Sequence, residues 1–188
     1  MQKFLIAAMF SLASLHAPAA DTPLVTIAAL DVPRYMGTWY EIAKFPNWFQ
    51  RKCVAATTAN YTLQKDGKVA VLNRCQTAGG EMIQATAEAR QVGGTTSPKL
   101  QVRFAPAWLS LLPMVWADYW VLDIDENYQL AAVGEPHREY LWILSRTPSV
   151  TPQAYETLVD RLTRQGFDTS QLVKAPAIPT PPPRTDRP

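Results

Sequence analysis

The chain has 188 residues and a formal net charge of +2, with 47% hydrophobic and 18% charged residues. That length suits one domain with a substantial core and leaves little room for a second. The near-neutral balance, with no basic stripe interleaved with aromatic residues, argues against nucleic acid as a partner and makes an oligonucleotide-binding barrel a weak competitor.

In chain order, Lys3, the apolar run 4–15 and Ala17-Pro18-Ala19-Ala20 have the layout of a cleavable secretory signal, with an apolar part too short to span a bilayer comfortably. Residues 1–20 are therefore expected to be removed. No cysteine precedes Cys53, so the expected product is a soluble, exported, periplasmic protein beginning near Ala20 or Asp21, free to associate with the outer membrane. The folded domain is expected over 21–174. The proline-rich segment 175–188 cannot build a ladder and reads as an extended, disordered tail.

Asp31-Val32-Pro33-Arg34-Tyr35-Met36 carries a cap residue and an early proline, which predicts one helical turn. Gly37 then frees the backbone to enter a strand through Trp39, Glu41, Ala43 and Phe45. Strand-like runs follow at 54–64, 68–77, 81–92, 99–105, 117–124, 128–134 and 139–146, about eight in all at regular spacing. Turn residues separate most of them, at Asp66-Gly67, Gly79-Gly80, Gly93-Gly94, Asp125-Glu126-Asn127 and Gly134-Glu135-Pro136. The fold class this predicts is all-β, an eight-stranded antiparallel up-and-down barrel. Thr151-Pro152 opens a helix and Gly166 closes it, with Tyr155, Leu158, Val159 and Leu162 as an apolar stripe against the outer wall. Phe167 is placed to fold back on Leu162.

When such a sheet closes, its first and last strands become antiparallel neighbours. The start of one then lies beside the end of the other, so Arg146 is expected to stack its guanidinium on Trp39 and cork one end. Gly37-Thr38-Trp39-Tyr40-Glu41-Ile42-Ala43, paired at this separation with Tyr140-Leu141-Trp142-Ile143-Leu144-Ser145-Arg146-Thr147-Pro148, resembles the lipocalin family. Within it the two strings are most similar to the bacterial Blc-like branch, related to apolipoprotein D. The resemblance spans roughly 31–174 and implies a calyx that binds apolar or amphipathic small molecules, with Gly37, Trp39 and Arg146 in structural roles.

Export places Cys53 and Cys75 in an oxidising compartment, where they are able to pair. The hairpin register is awkward, because a tight turn at Asp66-Gly67 sets Thr57 opposite Cys75. A bridge needs a bulge or a bend entering the second strand, and two buried thiols are the alternative.

Strand parity assigns the inner wall: Glu41 and Ala43; Ala59 and Tyr61; Val71; Ala85 and Ala87; Leu100, Val102 and Phe104; Tyr119 and Val121; Tyr140, Trp142 and Leu144. One bulge would flip every later assignment on its strand. Small side chains at 85, 87 and 89 leave room rather than fill it, and an inward Glu41 needs a partner. The end opposite the cork is the mouth, where Trp48, Phe49, Trp108, Leu111, Met114, Trp116 and Arg138 are expected. The segment 106–116 carries no formal charge and reads as a lid or a peripheral membrane contact. Lys44, Arg51, Lys52 and His137 lie near the same end and suit a carboxylate or phosphate headgroup.

The expected function is binding and carriage of fatty-acyl or lysophospholipid-like ligands, without cofactor or metal. A scavenger of tetrapyrrole- or retinoid-like molecules is the alternative. An esterase is disfavoured, because past the leader His137 is the one remaining histidine and no Gly-x-Ser-x-Gly elbow occurs. A membrane-embedded barrel is disfavoured by Lys44, Arg74 and Arg103 within strands.

Overall fold

The computed structural model describes residues 23–104 and 115–176. Alternation of side chains along short strands builds one antiparallel sheet from β1 (Gly37–Lys44), β2 (Ala55–Leu63), β3 (Val69–Gln76), β4 (Met82–Gln91), β5 (Lys99–Arg103), β6 (Ala117–Ile124), β7 (Leu130–Gly134) and β8 (Leu141–Ser145). Neighbours pair in sequence order. β1 pairs with both β2 and β8, which closes the cylinder. A four-residue helix, α1 (Val32–Tyr35), precedes β1. α2 (Pro152–Arg164) and a two-residue strand, β9 (Val173–Lys174), follow β8.

Three bulges decide which way side chains point. The register shifts between Glu41 and Ala43, between Ala55 and Thr58, and between Val121 and Asp123. Each inserts a residue on one strand and flips the alternation beyond it. The result is two apolar cores on either side of the sheet. Inside lie Trp39, Tyr61, Val69, Val71, Ala89, Leu100, Val102, Val121, Val133 and Leu144, closed beneath by Leu30, Val32 and Tyr35. Outside, Ala43, Phe45, Leu122, Leu141 and Ile143 meet Leu158, Leu162 and Phe167.

The outer core is fastened by the helix ends. Thr151 accepts the backbone N–H of Ala154, and Pro152 occupies the first turn. At the other end Gly166 takes φ +86° and the Phe167 N–H returns to the Leu162 carbonyl, so Phe167 lands on the same cluster as Leu162. Arg161 forks onto Asp123 at 2.6 and 2.9 Å. Asp123 faces the helix because the β6 bulge turns it outward.

The cork is built from both ends of the barrel motif. The Arg146 guanidinium lies 3.9 Å from the centre of the Trp39 ring, and Trp39 is fully buried. Its nitrogens donate to the carbonyls of Thr38, Arg34 and Tyr128, tying β1, α1 and the β6–β7 turn together. The Trp39 indole donates to the Tyr35 carbonyl at 2.8 Å. Gly37 has φ +93°, and a Cβ there would stand 3.4 Å from Arg146 Nη1, so a side chain would be strained and crowded at once.

Candidate ligand site inside the barrel

Two tiers make up the inner wall. The lower one is closed. Tyr35 from α1, Tyr61 from β2 and Tyr119 from β6 converge there, with Tyr119 Oη 2.8 Å from Tyr35 Oη and 2.9 Å from Tyr61 Oη. Around them Met36, Val69, Val71, Ala89, Leu100 and Val102 leave a cavity of about 10 Å³. That is room for about one water-sized group.

Above it the wall is made of small residues. Ala59 pairs with Asn73, Asn73 with Ala85, Val71 with Ala87 and Val102 with Ala117, all on the inward face. Ala85 and Ala117 are exposed despite facing inward, and the next inward residue on β4, Ile83, is 36% exposed. The barrel therefore opens to solvent above the tyrosines.

At the rim the segment between β1 and β2 folds back over β8. Phe49 rests against Tyr140 and Trp142 at 5.6 and 6.2 Å between ring centres, and those two rings stack at 6.0 Å. Gln50 is the latch: its amide donates to Glu41 Oε2 at 2.8 Å, while its carbonyl oxygen accepts from the Trp142 indole and from Asn47. Lys44 Nζ lies 2.9 Å from Glu41 Oε1. The bulge after Glu41 puts these two charges, three residues apart, on the inner side together. Glu41 is only 8% exposed, so its desolvation is offset by the ammonium and the amide. Cys53 and Cys75 are joined in a disulfide that pins the end of this segment to β3. The bulge between Ala55 and Thr58 provides the bend that the register required.

Four expected positions differ. Ala43 does not line the interior, because the β1 bulge turns it onto the helix side with Phe45. Phe104 lies one residue past the end of β5 and is 54% exposed, outside the buried lining. Trp116 does not enter the mouth. Its ring sits 4.0 Å from the Arg90 guanidinium and 5.2 Å from that of Arg103, and Arg103 pairs with Glu88 on the outward face of the sheet. Arg138 turns away to donate to the Gln165 carbonyl at the end of α2. Trp108, Leu111 and Met114 lie outside the described residues, as do the leader 1–20 and the tail from 177.

Glu41, Ala59, Tyr61, Val71, Ala85, Ala87, Leu100, Val102, Tyr119, Val121, Trp142 and Leu144 are on the inner face, with Tyr140 stacked at its rim. Sequence reasoning missed Gln50, Asn73 and Tyr35. Asn73 was legible as the next odd position after Val69 and Val71. Gln50 had no periodic signal to mark it.

Burial governs the ionisation of the floor. It pushes the Tyr61 phenol up to about 12, opposed by the hydrogen bond to Tyr119 and the charge of Arg146. Tyr35 and Tyr119 are raised as well, first by burial and then by the neighbouring phenols. A raised folded-state pKa means the unfolded chain releases its protons first as pH rises. Stability is thus intact below pH 10 and is expected to fall between pH 10 and 12, by up to about 1.4 kcal/mol per pH unit for each tyrosine. Urea midpoints across that range measure the slope. Replacing Tyr119 by Phe should flatten it, and an unchanged slope would contradict the assignment.

The description "Lipocalin-like domain" belongs to a family model that matches residues 30–177. The chain is 43% identical over 157 residues to temperature-induced lipocalin-1 of Arabidopsis thaliana, covering 83% of this chain and 84% of that one. It is 33% identical over 167 residues to the outer membrane lipoprotein Blc of Escherichia coli (strain K12), covering 88% and 90%. Among solved structures, insecticyanin of Manduca sexta superposes with a TM-score of 0.61 at 19% identity, covering 82% of this chain and 83% of that one.

Proposed function

Because this chain belongs to the lipocalin family, we propose that it binds and carries fatty-acyl or lysophospholipid-like ligands in the cell envelope, by reversible capture without chemistry. The observation that carries this reading is the alanine tier, inward-facing yet open to solvent, between a closed tyrosine floor and a charged rim. An acyl chain fits such a tier with its headgroup upward. Lys44 then meets a phosphate or carboxylate, and Glu41 accepts from an amine.

Energetics favour a carrier rather than a trap. Burying about fourteen methylenes gains roughly 11 kcal/mol at ~0.8 kcal/mol each. Association costs of roughly 4–15 kcal/mol cancel much of it, leaving affinities around micromolar with loose selectivity for chain length. The Cys53–Cys75 bond supports an oxidising compartment, as does the likeness to a protein named for the outer membrane.

Native mass spectrometry of the purified protein, followed by lipid extraction, is expected to reveal an acyl ligand. Ala87→Trp, which fills the tier, is expected to weaken fatty-acid binding tenfold or more while the melting temperature stays within a few degrees. Equal binding by the filled variant would rule out the tier as the site.

A further inference from the structure

The floor of the barrel holds an unspent hydrogen bond. Three phenols carry three protons, and two hydroxyl–hydroxyl contacts join them. Whichever way those bonds run, two protons are used and one O–H donor is left over. Tyr35 is 2% exposed and Tyr61 8%, while Tyr119 is half-buried, so a donor left on either of the first two has no ready access to bulk water. All three side chains line the cavity of about 10 Å³. An unpaired group is costly in such surroundings.

A second polar group points the same way. Asn73 faces inward one position nearer the mouth than Val71, and its Oδ1 is buried without a hydrogen-bond partner. Its lateral neighbours are Ala59 and Ala85, which offer it no side-chain partner. A barrel meant for plain hydrocarbon would be expected to place apolar side chains at both levels. Here the path from mouth to floor passes an unmet acceptor and ends at an unmet donor.

We propose that the interior recognises an oxygenated acyl chain, whose deep end carries a hydroxyl or carbonyl oxygen that accepts from the tyrosine triad. Asn73 serves a hydroxyl carried nearer the middle of the chain. This rests on the carrier reading above and narrows its ligand class. The small cavity, with room for about one water-sized group, is the seat of the deep oxygen. A methyl-terminated chain reaching the same depth leaves the phenolic proton unsatisfied, and is rejected for that reason.

Isothermal titration with saturated fatty acids and their ω-hydroxy counterparts, taken through a series of chain lengths, tests this. In the wild type, one chain length should bind the ω-hydroxy acid at least as tightly as the plain acid, against the order that hydrophobicity alone sets. Tyr119→Phe takes away the hydroxyl partner of both Tyr35 and Tyr61, leaving two spare donors, and should move the ratio about tenfold further toward the ω-hydroxy acid. Replacing Tyr35, Tyr61 and Tyr119 together by Phe removes the spare donor and should move the ratio toward the plain acid, opposite to the single variant. If plain acids bind but the ratio is the same in wild type and variant at every length, the floor proposal falls and the carrier reading stands. If neither acid binds, both fall.

Discussion

Trp39→Ala is expected to lower the unfolding free energy by about 3–5 kcal/mol, the range for deleting a large buried aromatic. Trp39 is the largest fully buried side chain among the described residues. Its loss removes more than hydrophobic area. The indole packs against the Tyr35 ring, with ring centres 4.9 Å apart, and it is the surface on which Arg146 lies. Without it the guanidinium faces a void and the hydroxyl triad loses the residue that seats its first member. Denaturant titration measures the loss, and near-ultraviolet dichroism reports whether the tyrosines stay ordered. Arg146→Lys is expected to cost less, about 1–2 kcal/mol, since an ammonium keeps a charge over the ring but cannot fork onto the three carbonyls. A loss below about 1 kcal/mol for Trp39→Ala would show that the barrel does not depend on its cork.

Removing the disulfide by Cys53→Ser with Cys75→Ser has the second large effect expected, about 3 kcal/mol for a sequence separation of 22. Most of that comes from the unfolded chain, which regains the freedom the cross-link denied it. There is also a local consequence. The segment carrying Phe49 and Gln50 is held at one end by β1 and at the other by Cys53, so cutting the bridge loosens the latch over Trp142. Urea midpoints with and without reductant give the stability change. The difference in tryptophan fluorescence between this protein and a Trp142→Phe version reports on Trp142, and a coincident pair of midpoints would exclude a stabilising bridge.

How much of this was legible beforehand depended on the kind of signal each residue carried. The cork was readable because closure of an up-and-down sheet is a topological rule, and it forces Gly37, Trp39 and Arg146 together whatever lies between. The helix was readable from Thr151, Pro152 and Gly166, whose conformational preferences are local. Ala43 was not, since the β1 bulge before it leaves no mark in composition and yet reverses every side chain beyond it. That same bulge is what brings Lys44 inward to Glu41, so the error on one residue and the charge pair have a single cause. Arg138 was misplaced because its position followed from the loop it belongs to, while its partner, the Gln165 carbonyl, is supplied by the helix end packed alongside. The disulfide stood between the two cases: the need for a bend was clear, and its location was not.

β9 answers a problem that the closure of the barrel creates. β1 keeps step with β2 only as far as Tyr40, and beyond that point the two part toward the mouth. The bare margin of β1 is taken over by Val173–Lys174, with the Ala175 N–H reaching the Ile42 carbonyl at 2.8 Å. Those few residues act as selvedge on a woven edge. They occupy carbonyls that would otherwise invite the strand of another molecule, and so discourage two copies from knitting together through β1.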